Sequence, residues 1–290
     1  MQMDELWTNI NGERMRLLRA GSGPPLLLIH GLLGGAFCWR FNLPVLAQHY
    51  SVYAVDLPGL ASTDDGDFDC SMSCQAKRLS RFIEHMSWNS LTVIGCSFGG
   101  AIAILLAAMA DQPSGRIQSL ILSAPVNPWS DFGQRRIRLL STQMGGYFLR
   151  TVLPISRPCH GIAIRRMYGD PKCIPHDALK GYSASVLQPG RARNVLSALR
   201  SWQTDLELLR KAVCQIEAPT LLIWGDRDHA VDPLSAKALN ERIPKTEVKF
   251  IRGAGHLPFE EAPEEFNREV LEFLNKTTPG TGREQPALNS

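Results

Sequence analysis

Short, unbroken apolar runs alternate with helix-forming stretches along most of this chain. Residues 26–29, 52–56, 91–94, 117–123, 220–224 and 248–251 are rich in Leu, Ile, Val and aromatics. Runs of this length and content suit strands buried on both faces of a sheet. Residues 39–48, 75–86 and 101–109 read as helices between them, and 264–275 as a closing helix begun after Pro263. Ahead of these, residues 6–10 and 14–18 alternate around Asn11-Gly12, a pair that tolerates the positive φ of a tight hairpin turn. Buried strand followed by helix, repeated, predicts an α/β protein. The expected architecture is a mostly parallel eight-stranded sheet with helices on both faces.

The pattern breaks after Pro125. From 127 to 212 no buried-strand run occurs, and Ile137, Leu140, Met144 and Phe148 follow one another at helical spacing. The expected division is therefore a body of residues 1–126 and 213–275 with an inserted helical cap at 127–212. Residues 276–290, rich in Thr, Pro and Gly, read as a flexible tail. No internal repeat is present.

Charge sharpens this division. Residues 127–212 hold 14 Lys and Arg against 5 Asp and Glu, leaving 17 against 23 for the remainder. A basic cap over an acidic body follows, and the excess either attracts anionic substrates or is a solvated basic surface. A net charge of +3 argues against a nucleic-acid partner. The longest apolar stretch, 101–110, is half of the ~20 residues that span a bilayer, and the first residues are acidic with no apolar segment after them. No membrane insertion is expected. Seven cysteines without a paired spacing suggest reduced thiols and a cytoplasmic setting. Cys70 and Cys74 lack a second Cys or His pair, so neither metal nor cofactor is expected.

The chemistry concentrates at Gly95-Cys96-Ser97-Phe98-Gly99-Gly100, between a strand and a helix. So sharp a strand-to-helix turn presents the serine on a strained backbone, and the glycines let strand and helix close on each other. The N–H groups after Ser97 then point where an oxyanion would form. A serine hydroxyl needs a neutral imidazole as base and a carboxylate to orient it. Two later loops offer them: Trp224-Gly225-Asp226-Arg227-Asp228-His229 and Gly253-Ala254-Gly255-His256, each following a strand. Asp226, Asp228 and Asp232 compete for the acid, His229 and His30 with His256 for the base.

At these motifs the chain resembles the α/β-hydrolase family, over residues 5–275. The matching elements are His30-Gly31, Asp56-Leu57-Pro58-Gly59, the Ser97 motif, Trp224-Gly225-Asp226-Arg227-Asp228 and Gly255-His256. The resemblance implies Ser97 as nucleophile, Asp228 as orienting acid and His256 as base, with the backbone N–H groups of Leu32 and Phe98 as oxyanion hole. Where the family often has a second glycine after Asp56, this chain has Ala61. Epoxide hydrolases and haloalkane dehalogenases of this fold use Asp as nucleophile, which Ser97 disfavours. Carbon–carbon bond hydrolases keep the serine, usually with Asn before it and Trp after the histidine; here Cys96 and Leu257 stand there.

The resulting expectation is a serine esterase acting on a small or medium carboxylic ester, thioester or lactone through an acyl-enzyme. Alternatives are a carbon–carbon bond hydrolase, a perhydrolase or haloperoxidase-like enzyme, and a non-catalytic ligand receptor on the same fold. Trp129, Met144, Phe148 and Trp202 are the candidate apolar lining for the substrate. A small ester-like molecule is the one partner expected, and the sequence assigns no oligomeric state.

Overall fold

The computed structural model describes residues 3–61, 66–109, 116–151, 157–186, 188 and 190–277. Eight strands form one sheet: β1 (Met3–Ile10), β2 (Glu13–Ala20), β3 (Pro25–Ile29), β4 (Ser51–Val55), β5 (Leu91–Cys96), β6 (Ile117–Ser123), β7 (Thr220–Gly225) and β8 (Thr246–Ile251), in spatial order β1-β2-β4-β3-β5-β6-β7-β8. The first two strands are antiparallel to each other, β2 is antiparallel to β4, and all other pairings are parallel. The hairpin turns on Asn11 (φ 53°) and Gly12 (φ 87°), as their side chains allow.

Why the runs at 26–29 and 221–224 are apolar at every position is visible in the two cores. Leu27, Ile29, Val93, Leu122 and Trp224 face one side, against the helices Met72–His85, Phe98–Ala107 and Trp202–Ala212. Leu26, Leu28, Ile94, Ile121 and Ile223 face the other, against Trp39, Phe259 and the helix Pro263–Thr277. Side chains alternate along each strand, and both faces are covered, so both parities are mainly apolar, with the small Thr92, Ser119, Ser123 and Thr220 as the buried exceptions on β5, β6 and β7.

Several expected boundaries shift. The helix expected at 39–48 is two pieces, a short 3-10 turn (Ala36–Trp39) and one helical turn (Leu43–Leu46) carrying Pro44 in its first positions. The helix Trp202–Ala212, assigned from sequence to the cap, packs on the body: Leu206 and Leu209 join the sheet-side core, and Asp205 accepts the N–H groups of Met72 and Ser73. The tail beyond Thr277 lies outside the described residues. Among the described residues no helix is long and apolar enough to cross a membrane, and no group of three or more His, Cys, Asp or Glu could hold a metal ion.

The expected stripe through Ile137, Leu140, Met144 and Phe148 is broken. Helix Gln134–Leu140 stops, Thr142 turns its hydroxyl back to the Leu139 carbonyl, and helix Gln143–Thr151 restarts with a new phase. The second helix docks through its glycines. A Cβ on Gly145 would lie 2.3 Å from the Leu139 oxygen, and one on Gly146 would lie 2.7 Å from Leu196 Cδ2. That close face turns Met144 (85% exposed) and Phe148 (48% exposed) outward.

Candidate active site

The chain runs from β3 to β4 on one side of the sheet and then crosses to β5 on the other, so the loops after β3 and β5 part at a topological switch point. Open α/β sheets form their ligand crevice there. The β3 loop supplies residues 30–35 and the β5 end supplies Ser97.

Ser97 sits at φ 52° and ψ −118°, a strained conformation for a residue with a side chain. Its surroundings fix it. The Ser97 N–H donates to the Ser123 carbonyl at 2.9 Å, and its own carbonyl accepts the N–H groups of Ala101 and Val126. Strand and helix meet so closely that a Cβ on Gly95 would fall 2.4 Å from the Gly99 oxygen. One on Gly99 would fall 2.4 Å from the carbonyl oxygens of Ile29 and His30.

Asp228, after β7, meets His256, after β8: Asp228 Oδ2 lies 2.8 Å from His256 Nδ1. The other Asp228 oxygen accepts the N–H groups of Ala230 (2.7 Å) and Val231 (3.0 Å). The carboxylate is wholly buried and the imidazole nearly so. With Nδ1 occupied by the carboxylate, Nε2 is the ring nitrogen left for a substrate or nucleophile. The rival residues have other partners. Asp226 accepts the Gly253 N–H, Asp232 accepts the Leu234 N–H, and His229 is exposed.

His30 is buried behind the crevice and braces two loops. Its Nε2 accepts the Leu57 N–H at 2.9 Å, so Nδ1 carries the proton and donates to the Gly31 carbonyl at 2.7 Å. Burial pushes its pKa below the ordinary histidine value, keeping it neutral. Asp56 ties the same loop: Oδ1 accepts the Ala36 N–H at 2.6 Å, and Oδ2 pairs with Arg16 at 2.8 Å. Ala61, in place of the family's glycine, is buried and accepts a hydrogen bond from Arg191 through its carbonyl.

Ser97 and His256 line one cavity of about 300 Å³, with Leu32 and Phe98 beside them. Among the described residues the N–H groups of Leu32 and Phe98 donate to no protein acceptor, and the Ser97 hydroxyl makes no hydrogen bond. Catalytic contacts in unliganded sites are often open and tighten when substrate binds.

Of the expected apolar lining, Trp202 is in the wall, stacked on Phe98 with ring centroids 6.0 Å apart. Three residues are not. Trp129 lies outside the cavity, between the guanidinium groups of Arg210 (5.5 Å) and Arg242 (4.6 Å) from its ring centre. Met144 and Phe148 face solvent, for the reason given by the glycine-faced helix. The wall comes instead from Phe132, Ile137, Ile164, Met167 and Tyr182 of the insertion and Leu257 beside the histidine. Ile137 stood in the expected stripe; the others have no local signal, because their place depends on how cap helices cross. One crossing is visible at the site: the His256 N–H donates to the Met167 carbonyl at 2.7 Å.

A pimeloyl-[acyl-carrier protein] methyl ester esterase of Xanthomonas campestris is 28% identical over 82% of this chain and 90% of its own length. A 2-hydroxy-6-oxo-6-(2'-aminophenyl)hexa-2,4-dienoic acid hydrolase of Metapseudomonas resinovorans is 25% identical over 94% and 91%. The structure of the epoxide hydrolase CorEH superposes with a TM-score of 0.81 at 21% identity, covering 95% of this chain and 99% of that one, a likeness of fold. The family profile for the alpha/beta hydrolase fold matches residues 24–263, and the chain belongs to that family.

Proposed function

We propose that the protein is a serine hydrolase that cleaves a carboxylic ester, thioester or lactone through an acyl-enzyme on Ser97. The observation behind this reading is the buried Asp228–His256 pair, 2.8 Å apart, in a crevice it shares with a serine held at positive φ. In the proposed cycle Ser97 Oγ attacks the carbonyl carbon as His256 Nε2 takes its proton. The oxyanion is held by the N–H groups of Leu32 and Phe98, a donor worth about 3 kcal/mol each in the transition state. Collapse expels the alcohol or thiol, which leaves with the proton from His256. Water, deprotonated by the same imidazole, then attacks the acyl carbon, and the acid departs as Ser97 regains its hydrogen. Asp228 holds the Nδ1–H tautomer throughout. The apolar wall of Phe132, Ile137, Ile164 and Trp202 favours a hydrophobic acyl or alcohol part.

A second reading, carbon–carbon bond hydrolysis, draws on the Metapseudomonas relative and uses the same three residues. Incubation with a fluorophosphonate, followed by mass spectrometry, tests what both share: an adduct on Ser97 in the folded protein and none in Ser97→Ala. A folded protein without an adduct fits the non-catalytic receptor. Turnover of unactivated alkyl esters of rising chain length, absent in Ser97→Ala and with no cleavage of a vinylogous 1,5-diketone, distinguishes the esterase from the carbon–carbon enzyme.

A further inference from the structure

The outward face of the cap has no part in the cycle above, yet it joins two features that ordinary surfaces keep apart. Its apolar side chains project: Leu139 is 67% exposed, Tyr147 67%, Met144 85% and Phe148 48%. Met144, Tyr147 and Phe148 fall on one side of helix Gln143–Thr151, opposite the buried Gly145, Gly146 and Leu149. Around them Arg135, Arg136, Arg138 and Arg150 are exposed, and none pairs with a carboxylate among the described residues. Between Asp131 and Asp170 the sequence has seven arginines and no Asp or Glu.

We propose that this face docks on an anionic lipid surface, lying in the headgroup layer without crossing it. Projecting Leu, Met, Tyr and Phe side chains cost little in water only if they are sheltered part of the time, and an acyl layer shelters them. Four guanidinium groups beside them, none held by a carboxylate among the described residues and only Arg150 bonded, to the Gly146 carbonyl, match phospholipid phosphates and the negative potential of such a surface. A second copy of the chain is a poor occupant, because it would set arginines against arginines with no carboxylate on either face to pair them. The position also has a consequence for access. In helix Gln134–Leu140, Gln134 and Ile137 line the cavity while Arg135, Arg136, Arg138 and Leu139 point to solvent. Docking would set the cavity's outer wall at the interface, so this helix is where an amphiphilic substrate would leave the lipid. The docking itself does not depend on the proposed chemistry.

Co-sedimentation of the full chain with phosphatidylcholine vesicles, with and without phosphatidylglycerol, tests it without reference to turnover. Binding is expected to vesicles containing phosphatidylglycerol at low salt, to fall steeply as salt is raised, and to be near background on phosphatidylcholine alone. Arg135→Glu/Arg136→Glu/Arg138→Glu is expected to weaken binding about a hundredfold, from about one kcal/mol per cation lost. Leu139→Ser/Tyr147→Ser is expected to weaken it about tenfold, with melting temperature and hydrolysis of a soluble short ester unchanged. No binding at low salt, or equal binding to both vesicle types, overturns the proposal. So does self-association in sedimentation velocity that Leu139→Ser/Tyr147→Ser abolishes, which makes the face a contact between copies. If a variant melts early, the salt and lipid dependence of the unaltered protein decides alone. Failure here together with a fluorophosphonate adduct on Ser97 would leave the hydrolase reading standing.

Discussion

Asp228 gives each carboxylate oxygen a separate task. One holds the loop through the Ala230 and Val231 N–H groups, the other faces His256. Asp228→Asn keeps the shape but can offer an N–H where the imidazole needs an acceptor, so the ring turns to the wrong tautomer. A fall in kcat of about 10⁴-fold is expected, with KM little changed. Steady-state kinetics on the best ester checks this; a loss under tenfold would remove Asp228 from the role proposed for it. The three acidic candidates were separable only in part from sequence. Asp226 is nearer to the strand end than Asp228 and Asp232 is on the same loop, and what distinguishes Asp228 is the direction of a side chain after a turn, a property of backbone geometry and not of residue type.

At the scale of elements, the turn from β5 into helix Phe98–Ala107 leaves no room. Gly99→Ala would place a Cβ 2.4 Å from two backbone carbonyls of the β3 end. Backbone cannot swing aside as a side-chain tip can, so the helix must move off the sheet. A loss of about 3 kcal/mol or more is expected, read as a melting temperature lowered by several degrees or as insoluble protein. Ser97→Ala fills no new space and should leave the melting temperature nearly unchanged. Strands were legible here because burial on both faces favours apolar residues at nearly every position. The cap helices were not: two pairs of residues at helical spacing can share one helix or straddle a break, and Thr142 with Gly145 and Gly146 made the break. Met144 and Phe148 therefore went from expected lining to exposed surface.

Across the whole molecule, a buried carboxylate ties the turn Pro258–Glu261 to Arg40 and Tyr168. Glu260 pairs with Arg40 and accepts the hydroxyl of Tyr168, while Arg40 also reaches Asp177 of the insertion at 2.9 Å. Burial pushes the Glu260 carboxyl upward, and Arg40 is the main force pulling it back. Arg40→Met would strand that charge, at a cost of about 3–5 kcal/mol. With Arg40 gone, the folded-state pKa of Glu260 rises further above its unfolded value. The deficit is then complete at neutral pH and shrinks as pH falls through the folded pKa, where the carboxyl takes up a proton. Melting curves from neutral to mildly acidic pH should show the variant approaching the parent, and Arg40→Met/Glu260→Gln should recover most of the loss at neutral pH. A deficit that is constant with pH would mean that Arg40 acts by packing on Phe37 and Phe41 alone.

Residue type and spacing alone determined the sheet, its hairpin, the Ser97 turn and the loops that bear Asp228 and His256. Each rests on a local constraint: alternation along a strand, positive φ at a turn, apolar runs where both faces are covered. The pairing of Asp228 with His256, which the family resemblance implied but residue type left open among three acids, the packing of helix Trp202–Ala212 on helices Met72–His85 and Phe98–Ala107, and most of the cavity wall needed the tertiary structure. Those depend on where elements distant in sequence cross, and crossing is set by contacts such as Gly146 on Leu196 or His256 on Met167 that leave no period in the chain.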